Sequence, residues 1–149
     1  MGMVVNLVSR VRRRRPSNEI YPRSLAVMAE GPARAELEAV FHEAGWELAI
    51  GGVAPIVFYE RESNPSGWHA AVCALSALSP RPYIVLLSKT ADGNLWEELV
   101  SCGGSDVLRM PLERDAVLRA VKTGWSIWSS QERLRRERGL ARGRGRPPA

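Results

Sequence analysis

Three polar residues stand within two positions of the end of a short apolar run, and they are the best candidates for chemistry in this sequence. They are Glu30, Glu60 and Ser88. Short, nearly continuous apolar runs are typical of strands buried in a parallel sheet. Functional groups of such sheets collect at the carboxyl ends of the strands. The chemistry available there is that of two carboxylates and one hydroxyl, acting as oxygen ligands or hydrogen-bonding groups.

The sequence offers little support for other kinds of catalytic or metal site. Two histidines and two cysteines are present, without the spacing of a zinc site or a CxxC pair; they are His42, His69, Cys73 and Cys102. We expect the cysteines to be reduced and partly buried, as in a cytosolic protein. The glycines at residues 51–52 lack the spacing of a nucleotide-binding loop, and no Ser/His/Asp set is supported. No metal site is predicted.

Apolar runs alternate with amphipathic segments, and this order predicts an α/β fold. Strands are predicted at residues 24–28, 46–50, 55–59, 83–87 and 107–108, and helices at residues 33–44, 68–78, 94–102 and 115–128. Pro32 suits the start of the first helix, and Gly45 suits its end. Strands that alternate with helices in this way form a parallel sheet covered on both faces.

Charge is distributed unevenly along the 149 residues. The net charge is +5, yet residues 24–129 alone have a net charge of −5. Residues 1–23 carry six arginines and one glutamate, and residues 130–149 carry seven arginines and two glutamates. We expect a basic disordered segment over 1–23, a folded domain over 24–129, and a helix extension with a disordered Arg/Gly/Pro-rich tail over 130–149.

The basic ends also allow an alternative, association with nucleic acid. Arginine-rich segments bind polyanions by releasing counterions, and residues 142–147 resemble the Arg-Gly-Arg-Pro core of AT-hooks, which bind the minor groove. No apolar run is long enough to span a membrane, and no apolar region follows the N-terminal arginines as in a signal peptide. A cytoplasmic protein without membrane contact is expected.

The order of the elements and the residues at their ends resemble the receiver domain of bacterial two-component response regulators. The matching segments are residues 27–32, 55–60, 83–88, 103–108 and 110–112. They occur in the order that a receiver requires, and the resemblance covers about residues 24–129. It implies a three-layer, CheY/flavodoxin-like doubly wound parallel sheet.

The resemblance also assigns roles to single positions. A working receiver holds Mg²⁺ on acidic residues, takes a phosphoryl group onto an aspartate, and contacts that group with a hydroxyl and a lysine. Here the acidic-pocket positions are Ala29 and Glu30, the phosphoacceptor position is Glu60, and the phosphoryl-contact positions are Ser88 and Met110. One carboxylate and the lysine are therefore absent, and the acceptor is longer by one methylene.

These replacements predict that phosphorylation is lost. Without the lysine a phosphoryl group has no ionic partner, and a displaced nucleophile costs orders of magnitude in rate. Any Mg²⁺ binding would be weak, at Glu30 and Glu60. One hypothesis is that the Glu60 carboxylate lies near Ser88 and mimics a permanently modified state; the alternative is that Glu30 and Glu60 are solvated loop acids. We expect a non-catalytic module without a resident cofactor.

One departure from the receiver pattern lies between the second and third predicted strands. Only residues 51–54 separate Ile50 from Pro55, whereas a parallel crossover usually takes a dozen residues or more. The helix that a receiver has at this point is missing. We expect the second strand to be displaced or irregular. The alternative is that it pairs with a neighbouring subunit, in a strand-swapped homodimer.

Finally, the resemblance implies a partner face on the last strand and helix, because receivers often dimerise or signal there. Its candidates are Val107, Trp125 and Trp128; the alternative for the tryptophans is that they cap the core. We expect a signalling module of the two-component, or phosphorelay, type that contacts a histidine kinase or a separate output protein. The alternatives are a phosphate-accepting response regulator and a nucleic-acid-associated protein.

Overall fold

A computed structural model describes residues 26–28, 33–50 and 54–145 of the chain. Strands and helices alternate along this part. The strands are β1 (Ala26–Met28), β2 (Leu48–Ile50), β3 (Ile56–Glu60), β4 (Tyr83–Ser88) and β5 (Asp106–Arg109), and the helices are α1 (Arg34–Ala44), α2 (Trp68–Ser76), α3 (Gly93–Ser101) and α4 (Arg114–Gly145). Helix α1 ends at Gly45, whose φ of 78° is the left-handed conformation that glycine adopts readily.

The five strands form one sheet in the order β2-β1-β3-β4-β5, and every neighbouring pair is parallel. The chain steps outward from β1 to β2 and then returns to build β3, β4 and β5 on the other side of β1. This reversal makes the sheet doubly wound. The predicted α/β architecture is confirmed, including the missing helix between β2 and β3.

Strand β2 pairs regularly with β1, so our expectation of a displaced or irregular second strand is wrong. Ile50 is level with Met28 of β1. Ile56 at the start of β3 is level with Ala26, two residues lower on the same strand. The chain therefore has to cover roughly 12 Å, two strand spacings across and two residues back. The six peptide steps available reach about 20 Å. Because β2 pairs within its own chain, no strand exchange with a second subunit is required.

Helices cover both faces of the sheet. All six residues of β4 are buried, and their side chains alternate between the two faces. Val85 and Leu87 belong to the core beneath α1 and α4, while Ile84 and Leu86 belong to the core beneath α2 and α3. This internal strand is therefore apolar on both faces, as its sequence predicts for a parallel sheet.

Helix α4 is 32 residues long and runs from Arg114 to Gly145, past residue 128, at which the amphipathic pattern ends. Its first half packs on the sheet through Val117 and Val121, both fully buried. Most described side chains after Trp128 are exposed, so the last 17 residues extend from the domain by about 25 Å. Among the described helices, none has the length and apolar character that crossing a membrane would require.

Candidate functional site

The carboxyl ends of β3, β4 and β5 meet at one edge of the sheet and carry three of the predicted site residues. Glu60 ends β3, Ser88 ends β4, and Met110 follows β5. The Met110 amide donates to the Ser88 carbonyl over 2.8 Å. All three residues are buried, with exposed fractions of 3%, 0% and 8% in that order. The other two, Ala29 and Glu30, lie outside the described residues.

The Glu60 carboxylate is hydrogen-bonded to the start of helix α1. Its Oε1 accepts a hydrogen bond from the Ala33 amide over 3.0 Å. The first N–H groups of a helix have no partner within the helix and lie at the positive end of its dipole, so a carboxylate is stabilised there. Glu60 is therefore not the solvated loop acid that we considered as an alternative.

The Ser88 hydroxyl is joined to Glu62, and not to Glu60, among the hydrogen bonds of the described residues. It donates to Oε2 of Glu62 over 2.8 Å. The same oxygen accepts from the Lys89 amide over 3.2 Å and lies 3.4 Å from Nη1 of Arg61. The carboxylate that meets Ser88 thus comes from the 3₁₀ turn after β3.

A pocket of about 360 Å³ opens beside Glu60. Its lining residues are Ala33, Glu36, Glu60, Lys89, Met110 and Pro111. Met110 gives the pocket an apolar wall at the position where the resemblance places a lysine. The cation at this pocket is Lys89, the neighbour of Ser88 in the sequence.

A receiver-type magnesium site takes several oxygen ligands around one ion. The described part of the chain has no group of three acidic, histidine or cysteine side chains that could hold a metal, and Glu60 already accepts a backbone hydrogen bond. Ala29 and Glu30, the positions that the resemblance assigns to the acidic pocket, lie outside this part of the chain.

The three residues of the predicted partner face, Val107, Trp125 and Trp128, have different surroundings. Trp125 packs against the core beneath α1 and α4 and stacks on Trp128, with ring centroids 5.6 Å apart. Val107 lines a groove of about 440 Å³ and Trp128 lines one of about 260 Å³. Both grooves are lined by Tyr83 and Ser105, so they adjoin. Trp125 therefore caps the core beneath α1 and α4. Val107 packs against the core beneath α2 and α3 and also lines a groove, and Trp128 is partly buried beside the other groove.

The larger groove combines an exposed aromatic ring with partly desolvated polar groups. Trp96 of α3 is 44% exposed at its edge. Burial raises the pKa of the Asp106 carboxyl above its ordinary value, although the Val107 amide and the Arg119 charge act in the opposite direction. Burial, followed by the charge of Asp106, raises the pKa of Tyr83. The groove therefore presents an exposed aromatic ring beside polar groups that are partly withdrawn from water.

Sequence reasoning did not identify Ala33, Glu62 or Lys89 as site residues. Glu62 lies two positions after Glu60, and Lys89 directly follows Ser88. Closeness to predicted site residues was the only signal for them, because the turn that brings Glu62 back to Ser88 has no distinctive sequence pattern. Ala33 contributes only its backbone amide, which any residue other than proline would supply.

Comparison with known proteins identifies the fold. No protein-family model matches this chain, and no curated protein does either. Among solved structures, a putative pilus assembly protein (CpaE) from Burkholderia thailandensis is 24% identical, with a TM-score of 0.59 over 70% of this chain and 99% of that one. Chemotaxis response regulator CheY4 of Vibrio cholerae is 14% identical, with a TM-score of 0.58 over 68% and 98%. A CheY-like response regulator receiver domain protein from Methanospirillum hungatei is 9% identical, with a TM-score of 0.61 over 76% and 99%. With this sheet order and these structural neighbours, the chain has the CheY-like fold, which response regulator receiver domains also have.

Proposed function

We propose that this chain is a receiver-like signalling module of the two-component type that acts through protein–protein contacts and does not accept a phosphoryl group. One observation carries the proposal: the carboxylate at the acceptor position, Glu60, is buried and bonded to the Ala33 amide. A nucleophile has to approach its substrate within a narrow geometry. The Glu60 carboxylate is hydrogen-bonded to the start of α1 and lies beside the apolar Met110, so it is poorly placed to attack a phosphoryl donor.

The nature of the structural neighbours supports the signalling part of the proposal. Two of these neighbours are a chemotaxis response regulator and a response regulator receiver domain protein, and proteins of that kind pass signals to other proteins. A histidine kinase or a separate output protein is the class of partner that such a role implies. The arrangement of Glu60 supports a module that works without a resident metal or cofactor and is not an enzyme.

The grooves lined by Val107 and Trp128 are the partner face in this proposal. They lie on α3, β5 and α4, away from the Glu60 pocket, and they combine apolar and polar lining. Exposed aromatic residues of this kind are enriched where proteins bind each other. Replacement of Trp128 by alanine should reduce the free energy of partner binding more than the free energy of unfolding, because Trp128 is only partly buried.

Intact-mass spectrometry tests the loss of phosphorylation. The chain is incubated with Mg²⁺ and acetyl phosphate, beside a variant in which Ala29→Asp, Glu60→Asp and Met110→Lys restore the receiver residues and Glu62→Ala frees the Ser88 hydroxyl. The wild-type chain should gain no phosphoryl mass, and the restored variant should gain an acid-labile one. A stoichiometric, acid-labile label on Glu60 of the wild-type chain would refute the proposal.

The exposed end of α4 favours nucleic-acid binding as a second candidate function. Its arginines at positions 133, 135, 136 and 138 are all exposed. Binding to a polyanion requires arginines whose guanidinium groups contact phosphates. The guanidinium of Arg135 would have to leave its ion pair with Glu132, which spans 2.8 Å, to do so. Fluorescence anisotropy with duplex DNA over a range of salt concentrations tests this function. Salt-dependent binding that disappears on deletion of residues 130–149 would support it, and absence of binding at low salt would exclude it.

A further inference from the structure

Glu62 is held by three donors that converge on one of its oxygens. Oε2 accepts from the Ser88 hydroxyl over 2.8 Å and from the Lys89 amide over 3.2 Å, and Nη1 of Arg61 lies 3.4 Å away. The other oxygen, Oε1, is buried and has no hydrogen-bond partner among the described residues. The position of this carboxylate is therefore set by the contacts of Oε2.

A hydroxyl, a backbone amide and a cation together make a binding site for an oxyanion. Each donor is of a kind that stabilises a negatively charged oxygen, and bonds to a charged acceptor are stronger than neutral ones. A carboxylate oxygen and a phosphoryl oxygen accept the same bonds. In a receiver, a hydroxyl and a lysine contact the phosphoryl group; the resemblance places them at Ser88 and at Met110, where the lysine is absent. The structure has a hydroxyl and an arginine, and both contact Glu62.

The Ser88 hydroxyl is also oriented toward Glu62. Its oxygen accepts a hydrogen bond from the Thr90 amide over 3.2 Å, which leaves the hydroxyl proton for Glu62. Ser88 itself is fully buried, so water does not compete for that proton. The Ser88 hydroxyl at the end of β4 is consequently held by two hydrogen bonds, one that it accepts from the Thr90 amide and one that it donates to Glu62.

We propose that Glu62 is a built-in occupant of an oxyanion site at Ser88, Lys89 and Arg61, and that it holds the end of β4 in the arrangement that a bound phosphoryl group would impose. This inference rests on the proposed function, in which the module signals without being phosphorylated. We considered Glu60 as the carboxylate that mimics a permanently modified state; in this proposal Glu62 has that role. Removal of Glu62 should free the end of β4 and open the site to an external oxyanion.

The test uses nuclear magnetic resonance of the full chain with three variants. Glu62→Ala removes the carboxylate, Glu62→Gln keeps an acceptor oxygen without the charge, and Glu38→Ala is the matched control, because Glu38 forms an exposed pair with Arg34 elsewhere. Hydrogen exchange at the Lys89 amide should accelerate about tenfold in Glu62→Ala, as expected when a bond to a charged acceptor is lost. It should change less in Glu62→Gln and not at all in Glu38→Ala.

Inorganic phosphate then serves as the external oxyanion. In Glu62→Ala, phosphate should shift the Lys89 and Thr90 amide resonances saturably, while wild type and Glu38→Ala show no such shift. An equal response of wild type and Glu62→Ala to phosphate would overturn the inference. So would unchanged exchange at Lys89 in both Glu62 variants, a readout that remains if one of them folds poorly. Phosphotransfer to wild-type Glu60 would instead refute the proposed function and leave the Glu62 result standing.

Discussion

A 3.0 Å hydrogen bond joins the buried carboxylate of Glu60 to the backbone amide of Ala33, across 27 positions of sequence. It connects the end of β3 to the start of α1, which packs on the same sheet. A residue at the position of a receiver's phosphoacceptor therefore serves the structure of the domain. This bond can be tested without any knowledge of the partner.

Replacement of Glu60 by alanine should lower the free energy of unfolding by about 1–3 kcal/mol, because the Ala33 amide loses its acceptor. Glu60→Gln keeps an acceptor oxygen and should cost less. Urea denaturation measures both, with Glu38→Ala as a surface control that should change by less than about 0.5 kcal/mol. If Glu60→Ala unfolded at the same urea concentration as wild type, the bond would have no structural importance.

Two glycines of α4 should respond in opposite directions to replacement by alanine. A Cβ at Gly124 would lie 2.6 Å from Cδ2 of Tyr83, whereas a Cβ at Gly139 would meet nothing within 4 Å. Alanine favours a helix by about 1 kcal/mol, but overpacking costs about 1–3 kcal/mol. Thermal unfolding should therefore show Gly124→Ala less stable than wild type and Gly139→Ala equal or slightly more stable. A stabilised Gly124→Ala variant would contradict the close approach of α4 to the sheet.

Asp106→Asn should stabilise the domain at neutral pH and not at acid pH. Because burial raises the pKa of Asp106, the folded state holds the proton more tightly than the unfolded state does. The resulting stability is present below the ordinary carboxyl pKa and is lost as the pH rises through the raised value. At pH 7 the wild type thus carries a partly buried charge that asparagine removes. Urea denaturation at pH 7 and near pH 3 should show a gain that shrinks on acidification; a loss of stability at pH 7 would show that the attraction of Arg119 dominates.

The two cysteines should differ in reactivity. Cys73 is exposed and Cys102 is partly buried. Burial raises the pKa of the Cys102 thiol, and a hydrogen bond with Cys73 raises it further. Since the thiolate is the reactive form, iodoacetamide at pH 8 should modify Cys73 several times faster, and the difference should narrow as the pH rises. Peptide mass spectrometry gives the two rates, and faster reaction at Cys102 would contradict this environment.

The sequence predicted the strands and most helices because burial leaves a periodic pattern. The apolar residues of β4 and the helical spacing of Leu37 and Phe41 in α1 are examples, and all are buried. The placement of β2 could not be predicted, since the rule for crossovers assumes strands of ordinary length, and β1 and β2 have three residues each. Because both strands are short, only a short segment is needed to lead from the end of β2 to the start of β3.

The candidate site was predictable only as far as the sheet determines it. Glu60, Ser88 and Met110 come together because parallel strands end at one edge. The choice of hydrogen-bond partners depends on the turn after β3, which directs Glu62 to Ser88, and on the start of α1, which meets Glu60. Side-chain directions in such turns follow from packing that the sequence pattern does not reveal. The helix extension expected after residue 130 could not be given an end, because the exposed part of α4 has no apolar face to mark where the helix stops.

The most direct test of the whole account is a titration of the wild-type chain with beryllofluoride and Mg²⁺, observed through the amide resonances of Lys89 and Thr90. Beryllofluoride imitates a phosphoryl group on a carboxylate. We expect both resonances to stay where they are, because Glu62 already holds the donors and Glu60 is bonded to α1. Saturable shifts of these two amides in the wild-type chain would show that the site still accepts a phosphoryl group, and the account would be wrong.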